Sequence, residues 1–140
     1  MENKDLEILL VEDNLSDAEM TIRALRKGNI ANKIIHLEDG FEALEFLFNN
    51  GDTPKPKVIL LDLKMPRVGG IELLKKLKSD ERTKGIPVVV LTSSKEDPDI
   101  KRCYELGVNA YVVKPVNVEA FNKAVNDLGL FWILINQTAG

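Results

Sequence analysis

Val58-Ile59-Leu60-Leu61-Asp62 is the stretch that decides the fold. Four consecutive apolar residues read as a strand buried on both faces. A carboxylate closes the run. Leu63-Lys64-Met65-Pro66 and Gly69-Gly70 then stop the strand and open a loop. In open α/β sheets, ligands and chemistry gather at the carboxyl ends of the strands. A strand-terminal Asp also has a plain structural use, because it can accept backbone N–H groups in a turn. The rest of the chain separates the two readings.

Working outward, Ile8-Leu9-Leu10-Val11 is a second buried run, and it too ends in acid, Glu12-Asp13. Asn14 to Ser16 supply a turn. Ser16 with Glu19 makes a capping box for a helix that carries Ala18, Ile22 and Leu25 on one face and closes at Gly28. Lys33 to Leu37 reads as a short edge strand holding His36, the only histidine, whose expected place is partial burial rather than metal ligation. Asp39-Gly40 turns the chain into a helix marked by Phe41, Leu44, Leu47 and Phe48. After the Asp62 strand, Ile71, Leu74 and Leu77 mark a third helix with a Lys-rich outer face, which reads as a solvated surface. Pro87 to Leu91 is a fourth strand, ending in Thr92-Ser93-Ser94. Asp97-Pro98 starts a helix with Ile100, Cys103 and Leu106 inward, closed by Gly107. Asn109 to Val113 is a fifth strand, ending in Lys114-Pro115. Val118, Phe121, Val125 and Leu128 give a last amphipathic helix.

Strands alternating with helices predict an α/β fold, a doubly wound five-stranded parallel sheet. Right-handed crossovers favour the order 2-1-3-4-5, with its switch point between the first and third strands. Length and composition agree: 140 residues, 44% hydrophobic and 29% charged, suit one globular domain with a real core. A net charge of −3 gives no reason to expect nucleic-acid binding, which usually shows a basic face. No apolar run reaches the length of a membrane span. Met1-Glu2-Asn3-Lys4-Asp5 lacks the apolar stretch of a signal peptide, so a cytoplasmic protein is expected. The lone Cys103 cannot form an internal disulfide and is expected to be a small buried apolar residue.

Four strand ends should therefore meet at one edge, bringing Glu12 and Asp13, Asp62, Thr92 and Lys114. Each has a bland reading as a cap, a turn residue or a surface charge. The combination has a chemical one. Carboxylates about 4 Å apart repel by roughly 4 kcal/mol per pair at an effective dielectric near 20, which invites a cation. Oxygen ligands select a hard ion, Mg²⁺ or Mn²⁺. A carboxylate beside such an ion can attack a phosphoryl group and become an aspartyl phosphate. The transferred group then needs positive charge and donors on its oxygens, which the ion, Lys114 and the Thr92 hydroxyl would supply.

On these residues the chain resembles the receiver domain of two-component response regulators, a flavodoxin-like fold. The matches are Glu12-Asp13, Leu61-Asp62 with Met65-Pro66 and Gly70, Leu91-Thr92, and Lys114-Pro115, over about 125 residues. The resemblance implies a single receiver domain over 1–140, with its core at about 6–128 and a C-terminal extension over 129–140. It implies that Asp62 is the phosphoacceptor for a sensor histidine kinase. It implies that Asp13 and Asp62 ligate Mg²⁺ directly, with Glu12 helping and the backbone carbonyl of Lys64 as a further ligand. Thr92 and Tyr111 match the pair whose rearrangement signals phosphorylation, and Lys114 matches the phosphate-binding lysine. A cis Lys114–Pro115 bond is expected, X-Pro being the junction where cis is cheap. The protein would not be a dedicated enzyme: it would catalyse phosphoryl transfer to its own Asp62 and the loss of that group.

Within that family the chain looks most like the single-domain regulators of bacterial phytochromes. The points of likeness are the Asn49–Lys57 loop, the run Ile86 to Ser94, and Phe131-Trp132 after the last helix. Lys64 and Ser93 stand at positions that vary among receivers, leaving phosphoryl lifetime open. Leu130-Phe131-Trp132-Ile133-Leu134-Ile135 is apolar without a break and needs cover. A homodimer using the fifth helix and anchored by Phe131 and Trp132 is expected, against the alternative that the tail folds into its own domain. Three other functions compete. A flavodoxin-like cofactor binder would be repelled by Glu12-Asp13. An Asp-nucleophile phosphatase would want an acid at position 64, where Lys stands. A phosphorylation-independent interaction module would not need the intact acids, Thr92 and Lys114.

Overall fold

A computed structural model describes residues 8–28, 33–49, 55–63, 65, 68–93 and 97–127, the side chains of 125–127 excepted. The elements alternate as the sequence predicts: β1(Ile8–Val11), α1(Leu15–Lys27), β2(Ile34–Leu37), α2(Gly40–Phe48), β3(Val58–Asp62), α3(Gly70–Ser79), β4(Val88–Thr92), α4(Asp99–Glu105), β5(Ala110–Val113) and α5(Val118–Asp127). The five strands are parallel in the order β2-β1-β3-β4-β5. All residues of β1, β3 and β4 are buried, as strands covered on both faces must be. β2 and β5 form the edges and are only partly covered.

Strand alternation divides the core into two layers. Leu10, Leu60, Leu91 and Val112 pack with Ala18 and Leu25 of α1 and Phe121 of α5. Val11, Leu61, Val90 and Cys103 pack with Ala43, Leu47, Leu73, Leu74 and Leu77 on the other face. A buried Leu cut to Ala in such layers costs about 2–5 kcal/mol.

The same alternation aims the site. Val11 pairs with Leu61, so Glu12 lies beside Asp62, and Thr92 pairs with Val113, immediately before Lys114. Glu12, Asp62 and Lys114 share parity with Leu10, Leu60 and Val112 and therefore point to the α1/α5 side. Thr92 shares parity with Val88 and Val90 and points to the other side. Tyr111, paired with Val90, lies on that same face.

Two local expectations differ from the structure. Helix α1 starts two residues earlier than the capping box implies: Asn14 is its N-cap and accepts from the Asp17 N–H at 2.9 Å. The carboxamide meets the orphan donor first, which leaves Ser16 inside the helix. In α2 the buried positions are Gly40, Ala43 and Leu47, whereas Phe41 is exposed. Asp39 caps that helix through the Glu42 N–H and sets its rotation. Cys103 is fully buried, as expected.

Candidate functional site

Glu12, Asp13 and Asp62 each offer a carboxylate oxygen, and these oxygens lie within 4.8 Å of one another. Glu12 is fully buried and Asp62 nearly so, while Asp13 is exposed at the mouth. Buried acids at this spacing need compensation. Lys114 provides part of it. Its Nζ stands 2.8 Å from Glu12 Oε1, 3.1 Å from Asp17 Oδ2 and 3.4 Å from Asp62 Oδ1. Burial alone would push the Lys114 pKa down. The bond to Glu12, the charges of Asp62 and Glu12 and the bond to Asp17 outweigh it and hold the ammonium well above its ordinary range.

The backbone is fixed around these groups. Glu12 N–H donates to Leu37 C=O at 3.0 Å, and the Glu12 carbonyl meets His36 Nε2 at 2.7 Å. His36 is thus a half-buried edge residue tied to the acidic strand end. Lys114 N–H donates to Thr92 C=O at 2.7 Å, and the Lys114–Pro115 bond is cis. Gly70 N–H donates to Leu63 C=O. A Cβ at Gly70 would lie 2.5 Å from Leu63 Cα and 2.7 Å from Asp62 O, so glycine lets the loop fold back onto the strand end.

Glu12, Asp13, Asp17, Asp62 and Lys114 line a cleft of about 230 Å³ that also takes in Asn14, Thr92 and Asp97. A larger groove of about 620 Å³ beside α1, lined by Met20, Arg23 and Val116, carries none of the four strand-end groups. Thr92 is buried, and its hydroxyl donates to Asp97 Oδ2 at 3.3 Å. Asp97 Oδ1 accepts from the Asp99 N–H at 2.9 Å, at the start of α4. Tyr111 is half-buried and meets Tyr104 edge-on, with ring centroids 6.4 Å apart.

The donor set fits a hard divalent cation. It is all oxygen, it carries more negative charge than one ammonium balances, and among the described residues buried Glu12 Oε1 has no partner beyond Lys114. The sequence-predicted residues Glu12, Asp13, Asp62, Thr92 and Lys114 all meet here, and Tyr111 stands behind Thr92 on one sheet face. Lys64, Phe131 and Trp132 lie outside the described residues. The roles of Asp17 and Asp97 went unread. One signal existed for Asp17: it follows Asp13 by four residues, within the first turn of a helix that starts at the acidic strand end.

Comparison with known proteins agrees with this geometry. Residues 8–126 match the model of the response regulator receiver domain. Response regulator Rcp1 of Synechocystis sp. is 40% identical over 129 residues, covering 90% of this chain and 88% of that protein. The probable methanogenesis regulatory protein FilR2 of Methanothrix harundinacea is 39% identical over 135 residues, covering 95% and 87%. The solved bacteriophytochrome response regulator AtBRR superposes with a TM-score of 0.83 at 49% identity, over 93% of this chain and 96% of its own. The Mn²⁺-bound form of Rcp1 superposes at 0.73 with 39% identity, over 91% and 94%. Among the described residues no helix is long and apolar enough to cross a membrane. A parallel 2-1-3-4-5 sheet with an acidic cluster and a lysine at its carboxyl edge, matched by that family along nearly all of its described length, is the signature of two-component signalling: the chain belongs to the response regulator receiver domain family.

Proposed function

We propose that this chain is a phosphoryl-controlled switch in which Asp62 accepts a phosphoryl group from a histidine kinase in a Mg²⁺-dependent reaction. One observation carries the reading: a nearly buried carboxylate stands 3.4 Å from an ammonium and within 4.8 Å of two further carboxylates. Glu12, Asp13, Asp62 and the Lys64 carbonyl would hold Mg²⁺, with Mn²⁺ as a substitute. The ion would neutralise charge gathering on the phosphoryl oxygens. Asp62 attacks phosphorus as the donor's P–N bond breaks, and the electron pair leaves with the donor imidazole. Lys114 and the Thr92 hydroxyl then serve the phosphoryl oxygens. Loss of the group by attack of water resets the switch, so the protein acts on itself and is no dedicated enzyme.

Readout runs through the opposite sheet face. Thr92 turning toward the phosphoryl group would vacate space toward Tyr111, which shifts a population between two existing states. The surface affected comprises α4, β5 and α5, where Tyr104, Tyr111 and Val113 line a groove. A bacterial phytochrome is the candidate kinase, supported by the likeness to AtBRR and Rcp1. The reading includes one receiver domain over 1–140, a cytoplasmic place, and a homodimer through α5 and the Phe131-Trp132 tail.

The test is intact-mass spectrometry after incubation with a small acyl phosphate and Mg²⁺. One phosphoryl group is expected on the wild type and none on Asp62→Asn. Undiminished labelling of the Asn variant would remove Asp62 from the role.

A further inference from the structure

We infer that Asp17 is a positioning residue that parks Lys114 away from the phosphoryl position and so sets how strongly the site holds a phosphoryl group. The inference rests on the reading of Asp62 as acceptor. An ammonium has three N–H donors. Lys114 Nζ faces three carboxylates, on Glu12, Asp17 and Asp62, at 2.8, 3.1 and 3.4 Å. The contacts to Glu12 and Asp17 are at hydrogen-bond length, whereas the approach to Asp62 is an ion pair. The shortest contacts are to Glu12 and Asp17, and the longest is to Asp62.

A phosphoryl group on Asp62 brings oxygens that need a donor from this lysine. For the lysine to move onto those oxygens, its hold on Glu12 or on Asp17 must give way. Glu12 is the costly one to abandon, because its side chain is fully buried and, among the described residues, its Oε1 has no other hydrogen-bond partner. Asp17 is the cheap one: its side chain is 35% exposed, so water can take over its released oxygen. It sits on the first turn of α1, fixed by the Asn14 cap through its own N–H. The Asn14 cap thus fixes the backbone from which the Asp17 carboxylate reaches Lys114. Asp17 opposes phosphoryl binding twice, by competing for an N–H of Lys114 and by adding a negative charge beside an incoming anion.

An acid at the start of a helix has an ordinary use, since it favours the helix dipole. That role would change stability and leave anion affinity alone. The discriminating probe is beryllofluoride, which binds at an aspartate as a phosphoryl stand-in. Its Kd is measured with saturating Mg²⁺ for wild type, Asp17→Asn and Asp17→Glu, beside the Mg²⁺ Kd and the melting temperature of each. The expected result is at least a threefold gain in beryllofluoride affinity for Asp17→Asn, with the charge-keeping Asp17→Glu near wild type. Lysine Nζ NMR should show the Lys114 signal of wild type moving on beryllofluoride binding, and that of free Asp17→Asn already displaced in the same direction. Equal or weaker binding by Asp17→Asn, or the same gain in both variants, overturns the inference while leaving the acceptor reading intact. Wild type that takes up no beryllofluoride overturns both.

Discussion

On the α1 side of Asp62 an ammonium is gripped by three carboxylates; on the α4 side a hydroxyl meets one carboxylate oxygen at 3.3 Å. The first flank is charged and mostly buried, with an interaction of about 5 kcal/mol per pair at an effective dielectric near 20 before desolvation is subtracted. The second is a long hydrogen bond to a partly buried acid, and a hydrogen bond contributes a net ~1 kcal/mol, or about 1.5–3 when a charged group takes part. The two flanks also belong to different layers, Lys114 facing the α1/α5 core and Thr92 the α3/α4 core. On the proposed reading, a phosphoryl group arriving between them would shift the cheaper flank further. On that reading the contrast says where the signal would leave the site: the lysine flank keeps its hold on Glu12 and exchanges only exposed Asp17, and the threonine flank carries the change outward.

The largest expected effect falls on the anchoring flank. Lys114→Ala leaves Glu12 buried without its counter-charge, which costs about 3–5 kcal/mol. Urea unfolding without divalent ions measures it, and Mg²⁺ should recover part of the loss. A loss below about 1 kcal/mol would show that the acids do not depend on the ammonium, placing the flank in the range of exposed ion pairs. The pH dependence has a definite sign. The folded-state pKa of Lys114 is raised, so its stabilisation is full below the unfolded lysine pKa of about 10.4 and is lost as pH rises through the higher folded value. The wild-type advantage over Lys114→Ala should therefore stay flat from about pH 7 to 9 and shrink only above about 10.4.

Next in size is the metal. A ligand that binds only the folded state adds about 2.7 kcal/mol at a hundred times its Kd. Asp13 is exposed, so Asp13→Ala should unfold like wild type in the absence of divalent ions. Millimolar Mg²⁺ should then raise the melting temperature of wild type and much less that of the variant. An equal rise in both would take Asp13 out of the ligand set.

The sheet was legible because buried parallel strands write themselves as unbroken apolar runs. Val58 to Leu61 and Ile8 to Val11 need no tertiary information. The strand-end groups were legible because the switch-point rule sends Glu12, Asp62, Thr92 and Lys114 to one edge. Asp17 and Asp97 were not. Both look like helix-start acids, and their contacts lie in how a helix leans on a strand: Lys114 is 97 residues from Asp17 in sequence. Phe41 misled for a related reason. Helical spacing marks a stripe, but the Asp39 cap decides which side of that stripe faces the sheet. The Ser16 capping box failed because Asn14, two residues earlier, offered a competing oxygen.

On the flank proposed to move, Asp97→Ala removes an acceptor of the Thr92 hydroxyl and the carboxylate that receives the Asp99 N–H. The expected cost is modest, about 1 kcal/mol, as for a lost helix cap. The informative readout is spectral. With Thr92 released from Asp97, the Tyr111 ring resonances of the unphosphorylated variant should shift toward those of wild type bound to beryllofluoride. Tyr111 signals unchanged from free wild type would detach Asp97 from the switch.

The smallest effect gives the sharpest test of which flank moves, and Cys103 reports it. Cys103 lies on α4, fully buried in the α3/α4 layer. Its thiol pKa is pushed up to about 11, first by burial and then by the charges of Asp99 and Asp97. Alkylation needs the thiolate, so at about pH 8 the native protein should react slowly, and only through local opening of α4. If the Thr92–Asp97 contact holds the start of α4, a phosphoryl stand-in that draws Thr92 inward should loosen that helix. A loss of ~1 kcal/mol in the opening energy corresponds to about fivefold faster alkylation. Asp97→Ala should show the faster rate without the stand-in, whereas Asp17→Asn, on the opposite flank, should alkylate like wild type. Equal alkylation rates with and without saturating beryllofluoride would mean that α4 keeps its packing when the site is filled, and that the difference between the flanks does not direct the signal.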